Sequence, residues 1–270
     1  MPNCKICNLY SGSRGNSTFI SAGGANILID AGKSAKALCR ALSDIGVEVD
    51  SLDAIFITHE HSDHISALQT LSHKHSVPIH ILLRSAEVFN GLCDERLCAL
   101  LHIYGGNAFE TKIKDLTVKA FPISHDSRAA VGYKLSFEED GKAVSLAVAT
   151  DTGRVTDAMR ESLYGCYAAV IESNHDPEML ENGPYPYELK KRIASSHGHL
   201  SNADCASLAA ELYESGTKHI MLAHLSEENN LPSLAYNEVL AAIADPEFDL
   251  RVARQDEAVW LVGEGGKEDI

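Results

Sequence analysis

The stretch Phe56-Ile-Thr-His-Glu-His-Ser-Asp-His-Ile65 constrains this chain more than any other, because an apolar run opens into four metal-competent side chains within six residues. Leu52-Asp-Ala-Ile-Phe-Ile-Thr58 has the β-branched and aromatic content, and the length, of a buried strand. His59, His61, Asp63 and His64 follow at its C-terminal end with no glycine or proline to loosen them, and Ile65 to His75 reads as a helix. The cluster is therefore expected on a tight strand-to-helix turn. Neutral imidazoles and carboxylates suit zinc, manganese or iron, and this many together exceed what one tetrahedral structural zinc needs once distant ligands join. Two divalent ions sharing one site is the natural inference.

With 270 residues, 45% hydrophobic and 23% charged, the chain is long enough for one sizeable core, and a single domain over residues 1–270, frayed from Gly263 on, is expected. The net charge of −15 argues against broad, non-specific adhesion to nucleic acid. It leaves room for a nucleic-acid enzyme, since bound divalent cations and a local basic patch reverse the sign where it matters. Seven irregularly spaced cysteines and the absence of a signal-peptide pattern point to a reducing cytoplasm. No apolar run approaches the roughly 20 residues of a membrane helix, so no membrane partner is expected, and a homo-oligomer is compatible with the sequence. Cys4 and Cys7 form a C-x-x-C that Cys93 and Cys98 could complete as a zinc knuckle; the strand-like alternation around Cys7 speaks against it.

From the N-terminus, strands at 5–10, 17–20 and 25–30 are separated by glycine turns. The first turn, Ser11-Gly-Ser-Arg-Gly-Asn16, can offer hydroxyls and amides to a phosphate, which makes Ser13 and Asn16 candidate substrate contacts, although an ordinary tight turn reads the same way. Ser34 to Ile45 carries a helical apolar stripe stopped by Gly46. Val77 to Leu83 reads as a strand and residues 85 to 102 as a helix, while His73, His75 and His80 look like surface or packing residues. Strands at 117–124, 131–137, 143–149, 167–171 and 218–223 deliver His125, Asp151, Glu172 and His224 at or just beyond their ends, a placement that suits ligands. Glu181 to Arg192, with Lys190 and Arg192, is the most basic and aromatic neighbourhood; its bland reading is a solvated helix face. Helices at 203–215 and 235–244 and a strand at 258–262 complete the chain, which shows no internal repeat by direct sequence similarity.

His-x-His-x-Asp-His after a hydrophobic strand resembles the signature of the metallo-β-lactamase superfamily, and each later motif has a counterpart in the right order. The resemblance implies a four-layer αββα sandwich of the α/β class, with His59, His61 and His125 on one metal, Asp63, His64 and His224 on the other, and Asp151 bridging. Glu172 in Glu-Ser-Asn-His-Asp176 and the downstream Gly198-His-Leu-Ser-Asn202 resemble the glutamate and histidine pair of phosphodiesterases related to transfer-RNA 3′-processing nucleases. Ser11 to Asn16 and Ala223-His-Leu-Ser-Glu-Glu-Asn-Asn230 look most like the YycJ/WalJ branch, exonuclease-like proteins associated with DNA repair. The interval between Asp151 and His199 is too short for the inserted domain of the RNase J type.

The resemblance therefore implies a metal-dependent phosphodiesterase, a 5′-to-3′ exodeoxyribonuclease-like enzyme with DNA favoured over RNA. Asp63 would orient a metal-activated hydroxide, and His199, polarised by Glu172, would protonate the departing 3′ oxygen, with His175 or His197 as substitutes. Imidazole as a side-chain type titrates near neutrality, which suits that role. Lys190, Arg192, Arg14 and Arg128 are the cations a binding groove would need. Two other readings stand beside this one. The first is a hydrolase of a small phosphodiester or, as in glyoxalase II, of a thioester; the second is a regulatory protein with a vestigial metal site.

Overall fold

The computed structural model describes residues 2–89 and 94–263. Two seven-stranded sheets lie face to face. The first is built from β1 (Lys5–Tyr10), β2 (Ser17–Ala22), β3 (Ala25–Ile29), β4 (Ala54–Phe56), β5 (Ile79–Leu82) and β6 (Leu101–Tyr104), closed on its other edge by β14 (Val259–Val262) beside β1. The second runs β7 (Glu110–Ile113), β8 (Leu116–Pro122), β9 (Val131–Glu139), β10 (Lys142–Ala149), β11 (Ala168–Glu172), β12 (His219–Ala223) and β13 (Asp249–Val252). In each, an antiparallel meander continues into three parallel additions, β3 to β6 and β10 to β13. The halves thus repeat one connectivity without repeating a sequence.

Helices cover both outer faces. α1 (Ala35–Asp44), α2 (Ser62–Ile65), α3 (Leu68–Ser72), α4 (Leu83–Ala86) and α5 (Glu95–Leu100) belong to the first half. α6 (Asp157–Leu163), α7 (Pro177–Asn182), α8 (Tyr187–Ile193), α9 (Asn202–Glu214) and α10 (Pro232–Ile243) belong to the second. The result is the expected αββα sandwich.

Strand alternation explains the layering. Ile27 and Ile29, Ala54 and Phe56, Leu146 and Val148, and Val170 and Met221 point into the core between the sheets. Their neighbours face outward instead: Leu28, Ile55 and Ile57 pack toward α1 and α3, and Ala147, Ala149, Ile171 and Leu222 toward α6, α9 and α10. A parallel strand buried on both faces reads as a continuous apolar run, and each such large side chain contributes about 1.5–3 kcal/mol on burial. That is why β4, β10, β11 and β12 were legible from sequence.

Two expectations need correction, and the doubt about a cysteine knuckle holds. Residues 85–102 are not one helix: α4 ends at Ala86, α5 spans Glu95–Leu100, and Leu101–Tyr104 is the edge strand β6, half-exposed and too short to outweigh the helical pattern before it. The helix after the ligand cluster is two short ones, interrupted where Ser66 turns its hydroxyl onto the Gly32 carbonyl. Cys4 and Cys7 cannot share a metal, because Cys4 packs between the sheets and Cys7 on the outer face of β1, as residues three apart in a strand must. Cys93, its proposed partner, lies outside the described residues.

Candidate metal centre

Sheet edges assemble the site. β4 ends at Phe56, and the next residues cross to the second sheet: the Tyr133 hydroxyl donates to the Ile57 carbonyl at 2.6 Å, and Val131 N–H donates to Thr58 O at 3.1 Å. Thr58, His59 and His64 are then buried at the rim of both sheets. Gly32 makes the opposite wall. A Cβ there would sit 1.5 Å from the Asp63 carbonyl, so only glycine admits the close pass by which Asn16 N–H donates to Asp63 O and Ala31 N–H to His64 O, each at 2.8 Å.

The expected ligands converge in two groups, and a third combination joins Asp151 and His224 to Glu172 and His199. In the first, His59 Nε2 lies 3.0 Å from His61 Nδ1, and His125 Nε2 lies 3.4 Å from the same atom. The rear nitrogens fix the tautomers. The Thr58 hydroxyl donates to Asp30 Oδ2 at 2.8 Å and so accepts from His59 Nδ1, 3.1 Å away. His125 Nδ1 donates to the Gly198 carbonyl at 3.1 Å. Both Nε2 lone pairs are left facing the common space. Burial, with the nearby His64 charge, pushes His59 well down, and burial likewise lowers His125, so both stay neutral as ligands require.

The second group is Asp63, His64, Asp151 and His224. His64 Nε2 lies 3.3 Å from Asp63 Oδ2 and 3.5 Å from Asp151 Oδ2; His224 Nε2 lies 3.4 Å from Asp151 Oδ1. Each imidazole again has a carboxylate behind it, Asp30 Oδ2 at 2.8 Å from His64 Nδ1 and Glu172 Oε1 at 3.0 Å from His224 Nδ1. Since a carboxylate only accepts, Nδ1 carries a proton in both, and each Nε2 is aimed at carboxylate oxygens across the centre. Asp151 Oδ2 and His224 Nε2 are buried without a hydrogen-bond partner.

Burial alone would lower His64 and His224. The charges of Asp30 and Asp151 raise His64 well above its ordinary range, while Asp151, Asp63 and Glu172 raise His224 to about 10. The carboxylates thus draw positive charge into the pocket, which protons on the two imidazoles supply when no ion is bound and which a divalent cation supplies in their place. The residues present therefore fit metal ions.

Backbone strain marks the same place. Asp30, Asp151 and His224, each at or just beyond a strand end, hold φ of 64°, 60° and 57°. For side chains other than glycine this left-handed conformation costs about 1–2 kcal/mol apiece. Such strain persists only where surrounding structure enforces it, and it clusters at functional sites.

Beside both groups stands His199. Its ring centroid is 5.2 Å from that of His125 and 5.0 Å from that of His224. Glu172 Oε1 lies 2.7 Å from His199 Nδ1, and Glu172 Oε2 accepts from Thr152 N–H at 2.6 Å. Burial would raise the Glu172 carboxyl, but the charges and hydrogen bonds of His199 and His224 outweigh it and hold it at about 2. His175 is buried with Nδ1 unpartnered, while His197 is exposed and bonded to Ser196 at 3.1 Å.

Of the expected substrate contacts, Asn16 turns inward. Its amide donates to Asp63 Oδ2 at 3.1 Å and Gly12 O at 3.1 Å and accepts from Gly12 N–H, which spends its hydrogen-bonding capacity within the protein. Ser13 is exposed. Arg192, on α8, pairs with Asp126, whose other oxygen is 3.4 Å from the ligand-facing His125 Nε2. Lys190 donates to the Glu181 carbonyl at 2.7 Å, and Arg14 and Arg128 pair with Glu227 and Glu87. His73 and His75 contact the carboxylates of Asp94 and Asp50 at 2.6 and 2.7 Å, and His80 packs in the interior. Sequence reasoning missed the support that Asp30 and Thr58 give and the hold of Asp126 on Arg192. Asp30, an acidic residue ending an apolar strand two residues before a glycine, was the one visible sign.

Among the described residues, no helix is long and apolar enough to cross a membrane. Residues 25–225 match the family model described as a β-lactamase superfamily domain. The chain is 35% identical to exodeoxyribonuclease YycJ of Bacillus anthracis over 240 residues, 89% of each chain. It is also 35% identical to exodeoxyribonuclease WalJ of Streptococcus pneumoniae over 253 residues, 92% of this chain and 91% of the relative. In fold it resembles the metallo-β-lactamase fold protein YhfI of Bacillus subtilis, with TM-score 0.70 and 16% identity over 95% of this chain and 99% of the other. Sequence shared nearly end to end with YycJ and WalJ, together with the common architecture, settles the kinship: the chain belongs to the metallo-β-lactamase superfamily, in the branch that holds these two proteins.

Proposed function

We propose that the protein is a metal-dependent phosphodiesterase that degrades DNA from an end, as its relatives' names describe for them. The observation that carries this reading is His199, set between the two ligand groups with Glu172 on its rear nitrogen. Divalent ions held by His59, His61 and His125 on one side and by Asp63, His64, Asp151 and His224 on the other would supply hydroxide near neutral pH and neutralise phosphate oxygens. The mixed imidazole and carboxylate donor set accommodates zinc, manganese and iron.

The chain's own residues do the rest. Glu172 accepts from His199 Nδ1, which directs Nε2 outward to carry the proton needed by a departing 3′ oxygen. Asp63, partly exposed beside its buried partners, orients the attacking hydroxide. Arg192, fixed by Asp126 next to His125, meets a phosphate of the strand, and Lys190 lies two residues before it on the same helix. A chain of net charge −15 has to concentrate such cations locally to receive a polyanion.

The test is to incubate metal-reconstituted protein with 5′-phosphorylated and 5′-hydroxyl DNA and RNA duplexes labelled at either end, beside Asp151→Ala. Progressive, Asp151-dependent release of mononucleotides from 5′ ends of DNA is expected. No cleavage, with bis-p-nitrophenyl phosphate still hydrolysed, would overturn the nuclease assignment and leave a small phosphodiester as substrate.

A further inference from the structure

Glu172, His199 and His224 sit on three separate segments: the end of β11, the turn before α9, and the loop after β12. Two buried asparagines tie these segments together. Asn202 is 0% exposed and Asn230 3%. Asn202 Nδ2 donates to Asn230 Oδ1 at 2.9 Å, and Asn230 Nδ2 donates back to Asn202 Oδ1 at 2.9 Å. This reciprocal pair closes on the third segment: Asn230 Nδ2 also donates to the Ser173 and Asn174 carbonyls at 2.9 and 3.1 Å, and the Ser173 hydroxyl donates to Asn202 Oδ1 at 2.7 Å. Asn174 extends the brace, its N–H donating to Leu200 O and its amide to His224 O, at 2.9 and 2.8 Å.

The first metal-facing group is held by other means, through Thr58, Asp30 and Gly198. On the side away from Glu172 the His199 turn is tied to α8, His199 N–H donating to the Ile193 carbonyl at 2.9 Å. Toward Glu172, the register of the His199 turn is set by the brace, by the short main-chain bridge of His175 with Ser201, and by the Leu200 N–H, which donates to Glu172 Oε2 at 3.4 Å.

We infer that the Asn202–Asn230 amide pair is a positioning device for proton donation, registering the His199 turn on Glu172. The inference rests on the reading of His199 as proton donor to the leaving oxygen. Replacing either amide by a carboxylate of the same shape sets oxygen against oxygen between two buried side chains, which forces the segments apart.

The experiment uses leaving-group chemistry. A sugar alkoxide needs a proton as it departs, whereas p-nitrophenolate leaves readily without one. Turnover of end-labelled DNA and of bis-p-nitrophenyl phosphate is measured for the wild type, His199→Ala, Asn202→Asp and Asn230→Asp, with metal content by elemental analysis. The expected result is a fall of at least about tenfold in the ratio of DNA to aryl ester turnover in both asparagine variants, as in His199→Ala, at unchanged metal content. Equal losses on both substrates, or metal loss, would overturn the inference and assign the pair to overall stability or to His224. If the aspartate variants do not fold, Ser173→Ala, which removes one bond to Asn202, carries the same test and must shift the ratio in the same direction. A His199→Ala protein with an unaltered ratio would instead remove the reading beneath, and the inference with it.

Discussion

Asp30 Oδ2 lies 2.8 Å from His64 Nδ1, joining two fully buried residues 34 positions apart in sequence. The same carboxylate takes Thr58 N–H and hydroxyl, both at 2.8 Å, and through that hydroxyl reaches His59. One side chain, not itself facing the centre, thus fixes the tautomers of a histidine in each ligand group.

Asp30→Asn should therefore weaken metal binding by about 10–100-fold while the fold survives, because such outer partners typically carry that much affinity. Competition with a graded series of chelators measures it, with circular dichroism as the control. Affinity equal to wild type would show that tautomer control by Asp30 is dispensable.

Arg192 and Asp126 form a pair beside His125. If Arg192 receives a phosphate there, Arg192→Ala should raise KM for DNA several-fold and leave the unfolding temperature within a few degrees, since exposed ion pairs contribute only about 0–1 kcal/mol to stability. Steady-state kinetics at two ionic strengths checks this, and the variant should show the weaker salt dependence.

His80 supplies a pH prediction away from the metal centre. It is 4% exposed, stacked 4.5 Å from Phe56, and burial together with His102 pushes its pKa down to about 4 from an ordinary 6.5. The folded state thus resists a proton that the unfolded chain accepts. Its contribution is fully present above about pH 6.5 and is lost as pH falls toward about 4, by roughly 2 kcal/mol. Urea unfolding of wild type and His80→Phe across this range should show a shallower acid loss in the variant.

Burial also silences thiols. Cys4 and Cys166 are raised to about 11, and Cys7 and Cys205 to about 12. At pH 8 these four should resist Ellman's reagent until the protein unfolds, whereas the half-buried Cys39 should react first among the five free cysteines described. Mass spectrometry after brief alkylation identifies the order.

What the sequence determined by itself was chemistry and layers. The density of ligand types in His59 to His64 named a metal site, and apolar runs such as Ala143 to Ala149 announced strands buried on both faces, because these signals are local in the chain. Edge strands such as β6 were not legible, since a half-exposed strand of four residues carries too few apolar positions to set a period. Only the tertiary structure decided which distant groups stand behind the ligands. Asp30 behind His64, Glu172 behind His224 as well as His199, and Asn202 against Asn230 depend on where strand ends and loops meet across two sheets, the Glu172–His199 pair alone having been expected from the resemblance. A hydrogen bond is short-ranged and directional, so its partner follows from that geometry, while residue types along the chain say only that a partner is needed.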